Sequence, residues 1–105
     1  MRIAVRGAGV PLSRAIVQHV RDRVRAALDQ HAARVHDVRV QLEDDNGPRG
    51  GRDQRCRVTV RLVSGQLLVH ERTDRDLYAN VSLAADMVKR RVGKVVDKLR
   101  CRRGR

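Results

Sequence analysis

The sequence predicts an α+β domain of order β-α-β-β-β-α, a four-stranded sheet with two helices packed on one of its faces. Three observations lead there. Four segments alternate apolar and polar residues with period two, two longer segments carry apolar stripes at spacings of three and four, and 105 residues leave room for one such set. A strand with one apolar face and a helix with one apolar stripe must each cover that surface with another element, and two helices suffice to cover one face of this sheet.

The first strand is Arg2 to Arg6, with Ile3 and Val5 on one side and Arg2, Ala4 and Arg6 on the other. Gly7-Ala8-Gly9 ends it, and Pro11 delays the helix. Ser13 is the N-cap of a first helix running to about Ala33, whose buried stripe is Ile16, Val20, Val24, Ala27 and Leu28. Beside that stripe the helical wheel gathers Arg14, Arg21 and Arg25, with Arg23 on the opposite flank.

Val38, Val40 and Leu42 form the apolar side of a second strand. The run Asp44 to Gly51 is rich in turn formers and reads as an exposed loop. Cys56, Val58, Val60 and Leu62 alternate with Arg55, Arg57, Thr59 and Arg61 in a third strand. Ser64-Gly65 signals a tight hairpin into a fourth strand, Gln66 to Arg72, with Leu67 and Val69 expected inward. Asp74 or Asp76 caps the last helix, whose stripe is Leu77, Val81, Ala84, Val88, Val92, Val95 and Leu99. Arg90, Arg91, Lys94 and Lys98 fall on one flank of that stripe, and Lys89 and Arg100 on the other. Residues 1–101 thus read as one domain, followed by a basic tail at 102–105. The sheet face turned away from the helices would display Arg2, Arg6, Arg39, Arg55, Arg57 and Arg61.

Twenty-four Lys and Arg stand against twelve acids, a formal net charge of +12. The first 50 residues hold nine bases and six acids, whereas residues 51–105 hold fifteen bases and six acids. Codon bias accounts for Arg outnumbering Lys, but not for a twofold excess of bases over acids. Such a balance points to a polyanionic partner. With one Tyr, no Trp and no Phe, the chain lacks the rings on which single-strand binders stack bases. No run of about 18 apolar residues marks a membrane span, and no apolar signal-peptide core follows Met1.

Catalysis finds little support. His19, His31, His36 and His70 have no metal-ligand spacing with one another or with Cys56 and Cys101, so neither metal nor cofactor is expected. Asp44 and Asp45 are turn residues, Gly7-x-Gly9 lacks the rest of a phosphate loop, and Ser13 has no base partner. Cys56 alternates in phase with Val58 as a small core residue, and Cys101 lies near the exposed end. The chain reads as a binding protein and not as an enzyme. Clustered guanidinium groups would contact phosphates bidentately and read the shape of RNA in place of its base sequence.

Several segments resemble the ribosome hibernation-promoting factor and protein Y family, the sigma-54 modulation proteins, in its short form. Gly7-Ala8-Gly9-Val10 with Ser13-Arg14-Ala15-Ile16 is similar to the family's glycine-x-x-valine leading to a capped helix. Ala15-Ile16, Gln18-His19-Val20 and Asp22-Arg23 are similar to the first helix of protein Y. Asp76-Leu77-Tyr78-Ala79 followed by Val81 resembles the family's Asp-Met-Tyr-Ala helix start, and Arg90, Lys94, Asp97, Lys98 and Leu99 fall where the family places a basic last helix. The sequence departs from the pattern at Met87, where Lys is common, at Ser82, where Asp is frequent, and in Glu71 to Arg75, about one residue longer than usual.

The resemblance implies a fold akin to the double-stranded-RNA-binding domain with an added first strand. It implies a cytoplasmic translation inhibitor of stress or stationary phase that binds the small ribosomal subunit in the mRNA and tRNA channel. The RNA-binding candidates it transfers are Arg23, Arg90, Lys94 and Lys98; the wheel adds Arg14, Arg21, Arg25 and Arg91. No membrane and no small-molecule substrate is implied, and nothing resembles the dimerisation domain of the long forms, so a monomer off the ribosome is expected. Two other readings stay open: a module for free double-stranded RNA, and a protein-interaction regulator with an acidic partner.

Overall fold

A computed structural model describes residues 1–46 and 52–103. Its elements are β1 (Arg2–Ala8), α1 (Arg14–Leu28), a short 3-10 segment (Asp29–Arg34), β2 (Val35–Asn46), β3 (Arg52–Leu62), β4 (Leu67–Asp74) and α2 (Leu77–Arg103). The sheet order is β1-β2-β3-β4, with β1 parallel to β2 and the remaining pairs antiparallel. A parallel pair needs a crossover, and α1 supplies it. The α+β architecture with two helices on one face is the one the hydrophobic pattern predicts.

Rows of paired residues cross the sheet and explain the core. Ile3, Val38, Val60 and Leu68 are register partners from edge to edge, and all four are buried. The next row joins Val5, Val40, Val58 and His70, and the one after it Gly7, Leu42, Cys56 and Arg72. Ile16, Val20, Val24, Ala27 and Leu28 from α1 close over this layer, with Val81, Ala84, Ala85, Val88, Val92 and Val96 from α2. Each Val, Leu or Ile of this layer contributes roughly 1.5–3 kcal/mol when taken fully out of water.

Two stripe expectations need correction. On β4 it is Leu68 that turns inward, 7% exposed, while Leu67 and Val69 are 58% and 43% exposed on the opposite face. The Ser64-Gly65 turn decides this. Gly65 takes φ +94 and its N–H donates to the Leu62 carbonyl, which aligns Leu67 with Arg61 and Leu68 with Val60. Because side chains alternate, a one-residue shift moves every β4 side chain to the other face, so His70 and Arg72 also face the helices. On α2, Val96 is 1% exposed while Val95 only packs at the margin. A step of four residues after Val92 keeps the stripe nearer the core than a step of three.

Boundaries also differ: β1 runs on to Ala8, β3 begins at Arg52 and β4 ends at Asp74. α1 ends at Leu28, and the chain tightens into the 3-10 segment with a break at His31 before entering β2. β2 continues through Asp44, Asp45 and Asn46, so part of the expected loop is strand, and residues 47–51 lie outside the described residues. α2 extends through Arg103, so Arg102 and Arg103 continue the helix; Gly104, Arg105 and the side chain of Cys101 lie outside the described residues.

Candidate nucleic-acid interface

The capped ends fix both helices. Ser13 Oγ accepts a hydrogen bond from Ile16 N at 3.2 Å, as expected of an N-cap. Asp76 Oδ1 accepts from Tyr78 N at 3.0 Å and Ala79 N at 3.2 Å, and Asp74 Oδ1 accepts from Asp76 N at 3.0 Å. Both candidate caps are thus used, Asp76 on the helix and Asp74 on the approach.

Helix α2 is tied to the sheet by a residue the sequence reading missed. Asn80 is 0% exposed, and its Nδ2 donates to the Gln54 carbonyl at 2.8 Å and the Arg72 carbonyl at 3.2 Å, joining α2 to β3 and β4. Its signal was its place: Leu77, Asn80 and Ala84 follow one another at spacings of three and four. Between the helices, His19 Nε2 lies 3.1 Å from the Tyr78 carbonyl and 3.2 Å from Ser82 Oγ, and the two rings sit 4.9 Å apart. Arg23 Nη2 approaches Asp86 Oδ1 at 3.8 Å.

These contacts spread the expected basic band over several places. Lys89 and Arg90 line a hollow of about 390 Å³ between the 3-10 segment and α2, with His31, Asp86 and Gly93, and Arg23 reaches it only through its 3.8 Å pair with Asp86. Lys89, set apart by the wheel, belongs to this hollow. Lys94 and Lys98 are exposed further along α2. Arg91 is half-buried and turns to β4, where its Nη1 donates to the Val69 carbonyl. Arg14 is exposed at the start of α1, while Arg21 and Arg25 face the β1 side.

The open sheet face displays its six arginines, but half of them meet carboxylates across the strands. Arg57 Nε lies 2.7 Å from Glu71 Oε1, Arg61 Nη2 lies 2.8 Å from Asp37 Oδ2, and Arg55 Nη1 lies 4.0 Å from Glu43 Oε2. All three are register partners, so strand pairing itself brings opposite charges together. By contrast Lys89, Arg90, Lys94 and Lys98 make no ion pair or side-chain hydrogen bond among the described residues. The free cations of α2 therefore lie on the helical layer.

Chemistry of other kinds is sparse. Cys56 is buried, and burial pushes its thiol up to about 11 while the Arg72 guanidinium pulls it back in part, so it is protonated and unreactive at neutral pH. Burial lowers the pKa of His70, and the Arg91 and Arg72 guanidinium groups lower it further. Among the described residues no group of three His, Cys, Asp or Glu side chains is placed to hold a metal ion, and no helix is long and apolar enough to cross a membrane.

Comparison with known proteins bears on this arrangement. The profile of the family described as sigma 54 modulation protein / S30EA ribosomal protein matches residues 3–100. The chain is 25% identical over 101 residues to the chloroplastic ribosome-binding factor PSRP1 of Spinacia oleracea, covering 94% of this chain and 33% of the relative. It therefore spans about a third of the length of the curated relative it matches. A ribosomal subunit interface protein from Coxiella burnetii superposes with a TM-score of 0.80 at 15% identity, covering 92% of this chain and 99% of that one. The N-terminal domain of Thermus thermophilus Protein Y superposes with a TM-score of 0.75 at 24% identity, covering 90% and 99%. At these identities the two structures speak to the fold alone.

Proposed function

Because the chain belongs to the sigma 54 modulation protein / S30EA ribosomal protein family, we propose that it is a ribosome-associated hibernation factor. It binds the small ribosomal subunit in the channel used by mRNA and tRNA, in the cytoplasm and as a monomer when off the ribosome. The contact layer is helical: Arg23, Arg90, Lys94 and Lys98 form its centre with Lys89, and Arg14, Arg21, Arg25 and Arg91 flank it. Occupying the channel excludes mRNA and tRNA and holds the ribosome idle.

The row of unmatched cations along α2 carries this reading. Desolvating a cation already matched by a carboxylate gains little from phosphate, whereas an unmatched cation gains a charge-assisted hydrogen bond and releases counterions. The unmatched α2 cations sit on the helical layer, and three sheet arginines are matched. Asp86 has a particular part: it lines the hollow beside Lys89 and Arg90 and pairs with the Arg23 guanidinium. A phosphate entering there meets Arg23, Lys89 and Arg90 together and takes the place of that carboxylate.

Sedimentation with purified ribosomes tests the proposal. The full chain is expected to pellet with ribosomes at low salt and to be released as salt rises. Failure to pellet even at low salt ends the reading. Equal affinity for naked duplex RNA would replace it with a free double-stranded-RNA module, and pull-down of a protein partner that survives RNase would replace it with a protein-interaction regulator.

A further inference from the structure

A hollow larger than the one beside α2 lies at the molecule's β1 edge. A groove of about 630 Å³ follows the free edge of β1, within the range of small-ligand sites, roughly 300–1,000 Å³. Five arginines line it: Arg2 and Arg6 from β1, Arg39 from β2, and Arg21 and Arg25 from α1. Ile3, Val38 and Val40 contribute an apolar part of the lining. We propose that this groove binds a small ligand carrying two or more linked phosphates.

The strand and helix periods set the spacing. Arg2 and Arg6 stand four residues apart on the same face of β1, about 13 Å along the strand. Between them is Ala4, whose small side chain leaves the space open, and its register partner on β2 is Arg39. Arg21 and Arg25 are one helical turn apart, a rise of about 6 Å. Three separate elements thus contribute arginines to the lining of one hollow.

The charge balance says what kind of anion fits. None of the five arginines makes an ion pair or side-chain hydrogen bond among the described residues. The one carboxylate in the lining, Asp37, is already engaged by Arg61 at 2.8 Å. One phosphate group could meet only part of this row. Two or three linked phosphates would present fork-matching oxygens along its length, the geometry at which arginine surpasses lysine. A nucleoside triphosphate and an inorganic polyphosphate share that chemistry, and the apolar lining gives a base or sugar a place that an inorganic chain leaves unused.

The proposal stands apart from ribosome binding, although Arg21 and Arg25 also flank the helical layer, so the test leaves those two intact. Isothermal titration calorimetry of the full chain at about 0.15 M salt would use inorganic tripolyphosphate, ATP and AMP. One site per chain is expected. Arg2→Gln/Arg6→Gln/Arg39→Gln should weaken tripolyphosphate binding at least about tenfold, the scale of a single charged hydrogen bond. Arg90→Gln/Lys94→Gln/Lys98→Gln removes the same charge from α2 and should weaken it by less than about threefold, since screened surface charges beyond a Debye length add little. All six positions are exposed, so folding is expected to survive, and circular dichroism checks it. Equal losses in the two variants would mean that binding follows net charge, and would overturn the site. AMP binding as tightly as ATP would overturn the requirement for linked phosphates. ATP binding more tightly than tripolyphosphate supports a nucleotide as the natural source, and equal binding supports an inorganic chain. Ribosome sedimentation of the Arg2/Arg6/Arg39 variant reads the other claim separately.

Discussion

Replacing Asn80 tests how the last helix is fixed to the sheet. Its side chain is wholly buried, and Nδ2 serves two backbone carbonyls on two different strands, Gln54 and Arg72. In Asn80→Ala both hydrogen bonds disappear, each worth about 0.5–1.5 kcal/mol net, and the two buried acceptors lose a donor at further cost. With a small cavity added, the expected loss is about 2–4 kcal/mol. At about 5 °C per kcal/mol for a domain of this size, Tm falls by roughly 10–20 °C. Asn80→Asp separates this cause from simple packing. A carboxylate there faces two carbonyl oxygens with no proton to give, so at neutral pH the loss is at least as large. Protonation restores one donor, so the variant's folded-state pKa is raised and its deficit shrinks as pH falls. Urea unfolding followed by circular dichroism at pH 5 and pH 8 measures both effects. A change under about 0.5 kcal/mol in Asn80→Ala, or a deficit in Asn80→Asp that does not depend on pH, would refute the assignment.

Other perturbations follow from the same contacts. Gly7→Ala places a Cβ 2.8 Å from the Val10 carbonyl oxygen and 2.9 Å from Leu12 Cγ, and should cost about 1–3 kcal/mol in urea unfolding; wild-type stability would mean that the turn after β1 yields freely. His70 is held below its ordinary value of 6.5, first by burial and then by Arg91 and Arg72, so its folded form favours the neutral ring. Its contribution is complete above the unfolded value and is lost as pH falls from about 6.5 through the lower folded value; His70→Gln should flatten that part of the stability curve. Arg90→Gln/Lys94→Gln/Lys98→Gln should lower the salt slope of ribosome binding by about two to three units, and an unchanged slope would put the contact surface elsewhere.

The residues differ in how plainly they announce their place. Strand β3 is legible because Cys56, Val58, Val60 and Leu62 alternate without exception, and all four are buried. Strand β4 is not, because Leu67-Leu68-Val69 satisfies either register, and the choice belongs to the Ser64-Gly65 turn and to pairing with β3. The inward row on β4 also turns polar at His70 and Arg72, which hides it from any hydrophobic pattern. The wheel finds the α1 flank correctly, since Arg14, Arg21 and Arg25 face away from α2 while Arg23 meets Asp86. It cannot separate Arg90 from Arg91, because adjacent residues diverge by about 100° and only the neighbouring elements decide where each side chain goes. The β1 groove is harder still: its arginines come from three elements, and no single period contains them.

The parallel pairing of β1 with β2 has a consequence for the chain as it is synthesised. Strands β2, β3 and β4 join sequential neighbours and can zip as they emerge, but β1 has no partner until residues beyond Asp37 to Glu43 are available. During that interval Ile3 and Val5 sit on a nascent segment without their strand partner, beside Arg2 and Arg6. The slow step of folding should then be the late closure of this long-range pair, and the amides of β1 should be the first in the sheet to exchange with deuterated solvent.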